Sequence, residues 1–452
     1  MVLGGCALPM PDTEKLVENA LPEAWSVPVS GSQENLRDFW KRWNDPVLLE
    51  LLESADRGNP DVLTALANLR SARASQLAAS AVLWPGASLG AGADWRRQSH
   101  RTAEGYDAKL RSDWTLSLAG AEWSRADAKA LRALASEMTL EHTRNLVAAE
   151  TAQAYVNYRA AEEKLRIAKE NARNIEKTAQ VALWRAEAGT GAMSEKEDAL
   201  QRLETARARI PEIEASLAGY RNAIARLTVV AYDRLALGTS AGVPTAPDGI
   251  AVSIPAETLM RRYDVIASLR QLEAAAREVQ AAREDYFPSL GLQGSLGTTA
   301  SSIGALGASG TGIAALVGSL SLPVLNWGGL KAREETAEAE LDRYKSTYVA
   351  TIVKALEETD NALQGIRSSE SRRAMLEKAC EHAEKSYEYA ALEYRTGVGD
   401  YTTMLTAEKA LLNAREQVVS NRAERSNQYV MLYRAVGGAW QVKSDNEKGT
   451  EE

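Results

Sequence analysis

Residues 61–85 read DVLTALANLRSARASQLAASAVLWP, and residues 264–288 read DVIASLRQLEAAAREVQAAREDYFP. The two stretches align without a gap at an offset of 203, placing Asp61 on Asp264, Val62 on Val265, Leu66 on Leu269, Leu69 on Leu272, Ala72 on Ala275 and Pro85 on Pro288. Further along, Glu150-Thr151 falls on Glu358-Thr359 and Gly189 on Gly397, now at an offset of 208. The chain is two copies of one unit of roughly 200 residues, a period far longer than that of solenoids, so the repeated unit is domain-sized.

Each copy has the same order: a helix (about 59–82 or 262–284), a proline, Gly-rich alternating segments, a very long helical stretch, a Gly-containing turn and a second helical stretch. The alternating segments read as strands. Trp114, Leu116 and Leu118 share one face, with Thr115, Ser117 and Ala119 on the other; Leu290 and Leu292 alternate with Gly291 and Gln293. Loops are expected at 96–111 and 298–311. This gives four strands of about ten residues, enough to cross a bilayer when tilted. Four strands cannot close a membrane barrel, for which eight is the practical minimum. The alternative is a pair of hairpins in a small soluble sheet. The membrane reading is favoured by Trp84, Trp95, Trp114, Phe287 and Trp327, which lie near the hairpin ends as an aromatic girdle would.

The helical stretches are long. Residues 124–187 contain neither Pro nor Gly, and 330–396 contain only Gly365. At 1.5 Å per residue, sixty residues span about 90 Å. Apolar spacing is heptad-like: Ile352, Leu356, Thr359, Leu363 and Ile366 step by 4, 3, 4, 3. Such stripes need partners, within the chain and between chains.

Composition narrows the function. The formal charge is -8 with both signs interspersed, which is no nucleic-acid footprint. Phe occurs only twice against 10 Trp and 15 Tyr, a skew suited to interfaces that are apolar on one side and wet on the other. No apolar run is long enough for a transmembrane helix, so a membrane span must be a closed barrel. His100, His142 and His382 form no ligand-spaced motif, and Cys380 reads as a packing residue. With no phosphate loop, nucleophile motif or zinc signature, we expect no enzyme activity, no cofactor and no metal site. Leu3-Gly4-Gly5-Cys6 matches the end of a bacterial lipoprotein signal and predicts lipidation of Cys6; the alternative is an ordinary cysteine in a tail.

The expected organisation is a signal remnant with the lipidation Cys (1–6), an N-terminal equatorial segment (7–58) and a first repeat (59–231) with a β-hairpin at about 86–120 and a tip near 189. A linker (232–261) with Pro244, Pro247 and Pro255 follows. The second repeat (262–435) has its hairpin at about 288–323 and its tip near 397, before a C-terminal equatorial tail (436–452). Segments 7–56, 232–258 and 436–452 are expected to form an irregular belt.

Given twice after a cysteine, this order resembles the TolC-type outer-membrane efflux proteins, closest to the lipoprotein branch often called the OprM or NodT group. The resemblance covers nearly the whole chain. Its carriers are Phe39-Trp40, Trp43-Asn44-Asp45-Pro46, Asn59-Pro60-Asp61, Pro323-Val324-Leu325, Gly328-Gly329, Tyr394-Arg395-Thr396-Gly397 and Gly437-Gly438-Ala439-Trp440. A departure stands at Trp123-Ser124-Arg125, where many relatives have Gly before Arg. The resemblance implies a mainly α fold with membrane β: a long helical barrel plus four strands per protomer, pooled by a homotrimer into a twelve-stranded barrel. It implies a lipid-anchored place in the outer membrane of a Gram-negative bacterium, helices in the periplasm. The implied partners are a periplasmic membrane-fusion adaptor, an inner-membrane pump of the RND type and outer-membrane lipid, with no nucleic acid. The implied role is the passive outer-membrane duct of a tripartite efflux system for small molecules. A type I protein-secretion duct, or a periplasmic adaptor or other coiled-coil scaffold, remains the alternative.

A duct needs a constriction, and the resemblance puts it at the tips. Gly189 and Gly397 can take the left-handed conformation that ends a helix. The family's gate positions map to Thr402, Thr403 and Thr406, which are neither acidic nor large, with Asp400 just before them. In the first copy Glu195 and Asp198 match Thr403 and Thr406. We therefore expect Glu195 and Asp198 to help build an acidic constriction, with Tyr394 and Arg395 latching neighbouring helices. The competing reading of these acids is a solvated helix surface.

Overall fold

The computed structural model describes residues 11–18, 20–27, 39–98, 101–238, 242–246 and 255–438. Cys6, and most of the tail expected at 436–452, lie outside the described residues. In chain order the elements are α1 (Thr13–Val17), α2 (Pro46–Gly58), α3 (Pro60–Ala81), β1 (Gly86–Gln98), β2 (Arg101–Ser117), α4 (Ala121–Glu187), α5 (Met193–Thr228), α6 (Pro255–Leu259), α7 (Tyr263–Glu284), β3 (Ser289–Ala300), β4 (Gly312–Ser321), α8 (Trp327–Thr396) and α9 (Tyr401–Ala435). Helices α3 and α7 start and end at positions 203 apart, and α5 and α9 begin 208 apart, as the repeat requires. Among the described residues, no helix is long and apolar enough to cross a membrane.

The chain divides into two compact units. The first contains the sheet, residues 65–140 and residues 264–352. Its four strands are antiparallel in the order β1-β2-β3-β4. Register and alternation sort most of its side chains. One face carries Leu89, Ala91, Ala93 and Trp95 of β1, Leu110, Trp114 and Leu116 of β2, Leu290, Leu292 and Leu296 of β3, and Leu316 and Leu320 of β4. The opposite face carries Ser88, Asp94, Asp107, Lys109, Arg111, Asp113, Gln293, Ser295 and Ser319. The apolar face is open: Leu89 and Leu316 are each 82 % exposed.

Two expectations need correction. Residues 96–98, 101–111 and 298–300, expected as loop, are strand, and β2 runs for 17 residues rather than about ten. Most of their charges do not break the strand because they alternate onto the polar face, where Arg96 pairs with Asp94 (2.9 Å) and Lys109 with Asp107 (3.4 Å), while Arg97 and Glu104 stand on the leucine face near its far end. The N-terminal segment is also not irregular throughout. Asp45 Oδ1 accepts from the amides of Val47 (3.0 Å) and Leu48 (3.1 Å), and Pro46 occupies the first helical turn, so α2 starts there.

In the helical part of this unit, α7 packs an almost continuous small-residue face, with Leu272, Ala274, Ala275, Val279 and Ala281 buried. Polar ties fix α4 and α8 to it. Ser124 Oγ donates to Glu284 (2.6 Å), Arg125 pairs with Asp285, Arg132 with Glu278 (2.9 Å), and Arg283 with Glu334 (2.8 Å). The Ser124 that departs from the family pattern is thus a buried donor to α7.

The second unit contains residues 21–64, 141–263 and 353–452. Phe39 stacks on Tyr433 (4.7 Å between centroids), with Trp40 and Trp43 around them. Tyr155 donates to Asp45 Oδ2 (2.9 Å) and accepts from Arg159 Nε (3.0 Å), so the Trp-Asn-Asp-Pro stretch is pinned to α4. Arg262, 3 % exposed, donates to the Ala435 carbonyl (2.6 Å) and to Glu358 (2.8 Å), satisfying the end of α9. Repeat symmetry reaches single hydrogen bonds: buried Thr151 donates to the Val147 carbonyl (2.7 Å), and buried Thr359 donates to that of Ala355 (2.8 Å).

Candidate functional site

Two helix-to-helix turns carry the residues singled out for the gate. The first joins α4 to α5, the second α8 to α9, and they are built alike. Gly189 has φ 69° and Gly397 φ 79°, so each ends its helix in the left-handed region. The Thr190 and Gly191 amides donate to the Arg185 carbonyl (2.9 and 3.0 Å); the Val398 and Gly399 amides donate to that of Glu393 (both 3.0 Å). A second glycine in each turn has its own cause. A Cβ on Gly191 would sit 2.9 Å from Arg185 Cβ, and one on Gly399 2.8 Å from Glu393 Cβ. Sequence reading missed Gly191 and Gly399; the signal was the Gly-x-Gly spacing, present in both copies.

The returning helices begin differently. Asp400 caps α9, its carboxylate accepting from the Thr403 amide (2.8 Å) and hydroxyl (2.7 Å). These two bonds hold its pKa below the ordinary carboxylate value. Ala192 stands at the matching position before α5 and offers no side-chain cap.

Tyr394, 6 % exposed, ties the turns together. Its hydroxyl donates to Glu195 Oε1 of α5 (2.9 Å). Arg185 of α4 lies over its ring (4.9 Å), and Tyr401 of α9 packs beside it (5.5 Å). Burial, and then the hydrogen bond to Glu195, raise the Tyr394 pKa, so the phenol stays a donor. Tyr401 also touches the small cluster of Ala179, Ala182, Ala199 and Leu203 in the first tip, and the cluster of Ala390, Ala391, Met404, Leu405 and Ala407 in the second. Sequence reading did not single it out.

The other predicted gate residues are placed as follows. Asp198 pairs with Arg202 one turn on (2.8 Å). Arg395 Nε donates to the Ala391 carbonyl of its own helix (3.1 Å). Thr406 donates to the Thr402 carbonyl (2.8 Å) and is exposed, as are Thr402 and Thr403. The structure brings Glu195 and Tyr394 together; Asp198 and Arg395 serve their own helices. Among the described residues no cluster of His, Cys, Asp and Glu could hold a metal ion.

The aromatic residues border the sheet. Trp84, Trp95, Phe287 and Trp327 are exposed, and half-buried Trp114 donates its indole N–H to the Leu83 carbonyl (3.2 Å). From Trp114 to Glu104, the partner of Trp95, β2 advances ten residues. That is about 34 Å along the strand at ~3.4 Å per residue, or roughly 24 Å when tilted by about 45°. An outer-membrane apolar band is about 25 Å tall.

The family described as "Outer membrane efflux protein" matches residues 51–228 and 254–438. The pyoverdine export outer membrane protein OpmQ of Pseudomonas putida is 28% identical over 456 residues, covering 97% of this chain and 96% of the relative. The toluene efflux pump outer membrane protein TtgC of Pseudomonas putida is 26% identical, covering 97% of this chain and 94% of that protein. Among solved structures, the outer-membrane channel OprN superposes with a TM-score of 0.86 at 29% identity, covering 92% of this chain and 97% of that one.

Proposed function

The chain belongs to the outer membrane efflux protein family, and on that premise we propose that three copies assemble into one passive duct whose tips form its gate. It is an outer-membrane efflux protein with a TolC-like fold. One observation carries the trimer: a four-stranded sheet with an exposed apolar face and free edges at β1 and β4. Bare strand edges cannot face lipid, because no water there satisfies the backbone. Pairing β1 of one copy with β4 of the next, three times, closes twelve strands, turns the leucines outward and most charges of β1 and β2 to the lumen.

In this duct the work is to open and close. The equatorial segments 7–58, 232–261 and 436–452 flank the two repeats, 59–231 and 262–435. The aromatic rows at Trp84, Trp114, Phe287 and Trp327, and at Trp95, sit at the two lipid interfaces. A lipid on Cys6 adds the anchor. Three Glu195 side chains, with Asp198 near them, place negative potential at the mouth and favour cations. The Tyr394 bond to Glu195 holds α8 to α5 while the mouth is closed, and Arg395, Thr402, Thr403 and Thr406 line the surface that an opening movement exposes. A periplasmic adaptor, docked on the tips and joined to an inner-membrane pump of the RND type, supplies the force. The cargo is small molecules, which the partners select.

Native mass of the detergent-extracted protein and single-channel conductance in planar bilayers test this together. A trimer that conducts, and whose cation preference falls when Glu195 and Asp198 are both changed to Lys, supports the assignment. A water-soluble monomer overturns the duct, and unchanged selectivity overturns the gate residues.

A further inference from the structure

Glu408 is a buried acid that the gate does not use. It lies on α9 two turns after the Asp400 cap and is 7 % exposed. Its Oε1 is buried and has no hydrogen-bond partner. It lines a cavity of about 20 Å³, together with Asn171 and Asn174 of α4, Tyr387 of α8 and Arg415 of its own helix. That is space for about one water molecule.

The charged groups around it are committed elsewhere. Arg202, reaching from α5, pairs with Asp198 (2.8 Å). Arg415 pairs with Glu384 (2.5 Å) and Glu170 (3.5 Å). Tyr387, the titratable group facing it from α8, is itself pushed up by burial and by Glu408, and so stays neutral. From α4 the cavity receives two neutral amides. A carboxylate in such a place is costly unless paired, and a proton removes the cost. Burial raises the Glu408 pKa from its ordinary 4.5 to about 7, with Arg202 only partly opposing it.

We propose that Glu408 is a proton-operated wedge in the second tip, packed when neutral and prising α9 from α4 and α8 when ionised. It rests on the reading of the tips as a gate and adds a control to it: the pH of the surrounding compartment. The folded-state pKa lies above the solvated one. Tip packing is therefore unweakened below about pH 4.5, loosens as pH rises, and carries the whole penalty above about pH 7. Across that window the open-to-packed ratio rises by up to about tenfold per pH unit. Glu408→Gln keeps the shape and removes the ionisation, so it holds the packed state at every pH.

The full-length protein in detergent, wild type and Glu408→Gln, is the material for the test. Infrared difference spectra across pH 5–8 are expected to show a protonated carboxyl that titrates near neutrality in the wild type and is missing from the variant. Amide exchange of residues 401–412 is expected to quicken with pH, beyond the chemical rate, only in the wild type. A wild type without such a carboxyl, or equal pH dependence of exchange in both proteins, overturns the proposal. Exchange is read on the chain itself, so a trimer that fails to conduct counts against the duct and leaves this test intact.

Discussion

The first and second tips share a turn down to its individual amide bonds, yet their returning helices start in opposite ways. Gly189-Thr190-Gly191 and Gly397-Val398-Gly399 make the same pair of hydrogen bonds to the carbonyl four residues before the first glycine. Then α5 begins at Ala192 with no side-chain cap, while α9 begins at Asp400 with two bonds to Thr403. Duplication has kept the backbone solution and let the side chains diverge. The capped helix also holds half-buried Tyr401 and buried Glu408, whereas the uncapped one supplies Glu195 as acceptor. One tip is a donor platform, the other a receiving arm, and Tyr394 is the joint between them.

The comparison breaks most completely at that joint. Tyr394→Ala removes a buried ring, which costs about 3 kcal/mol or more, and amide exchange should quicken in both tips at once. Loss of protection confined to α8 and α9 would separate them. Next, Gly189→Val and Gly397→Val each force a β-branched residue into a left-handed conformation, at about 1–2 kcal/mol apiece. Because the turns match, the two losses should agree in thermal or exchange measurements, and a clear difference would show that surrounding packing outweighs the turn. Smaller still, Ala192→Asp should give α5 the cap it lacks and slow exchange in its first turn, a gain of about 0.5–1 kcal/mol. The subtlest test is acid. The pKa of Asp400 is depressed, so its cap is present above about pH 3.8 and is lost as pH falls through its lowered value. The first turn of α9 should fray there, while that of α5 keeps its protection by this route. The sign is opposite to that of Glu408, whose burden grows as pH rises.

Much of this was legible in the sequence because duplication wrote it twice. The aligned stretches at 61 and 264 located helices, prolines and hairpins, and Gly189 and Gly397 marked the turns. Hairpin length was misread because charge was taken as a sign of loop; Asp94, Arg96, Asp107 and Lys109 keep the period of two that a strand with one wet face demands. Asp45-Pro46 and Asp400 with Thr403 were cap signals open to local reading. The Tyr394–Glu195 pair is different: its partners stand 199 residues apart, and nothing local in either repeat announces the bond. Glu408 was illegible for the same reason, since its surroundings come from two other helices, α4 and α8.

The two hairpins are unequal. Pairing of β2 with β3 stops at Tyr106 and Ala300, but β1 and β2 continue for five further pairs to Gln98 and Arg101. The first two of these pairs reach the Trp95 row, and the last three, from Arg96 and Ala103 to Gln98 and Arg101, carry the hairpin about 10 Å of strand beyond it, at ~3.4 Å per residue. In the proposed barrel this extension would offer antibodies or phage a handhold. A short epitope tag spliced between Gln98 and Arg101 would be displayed on living cells while transport continued beneath it.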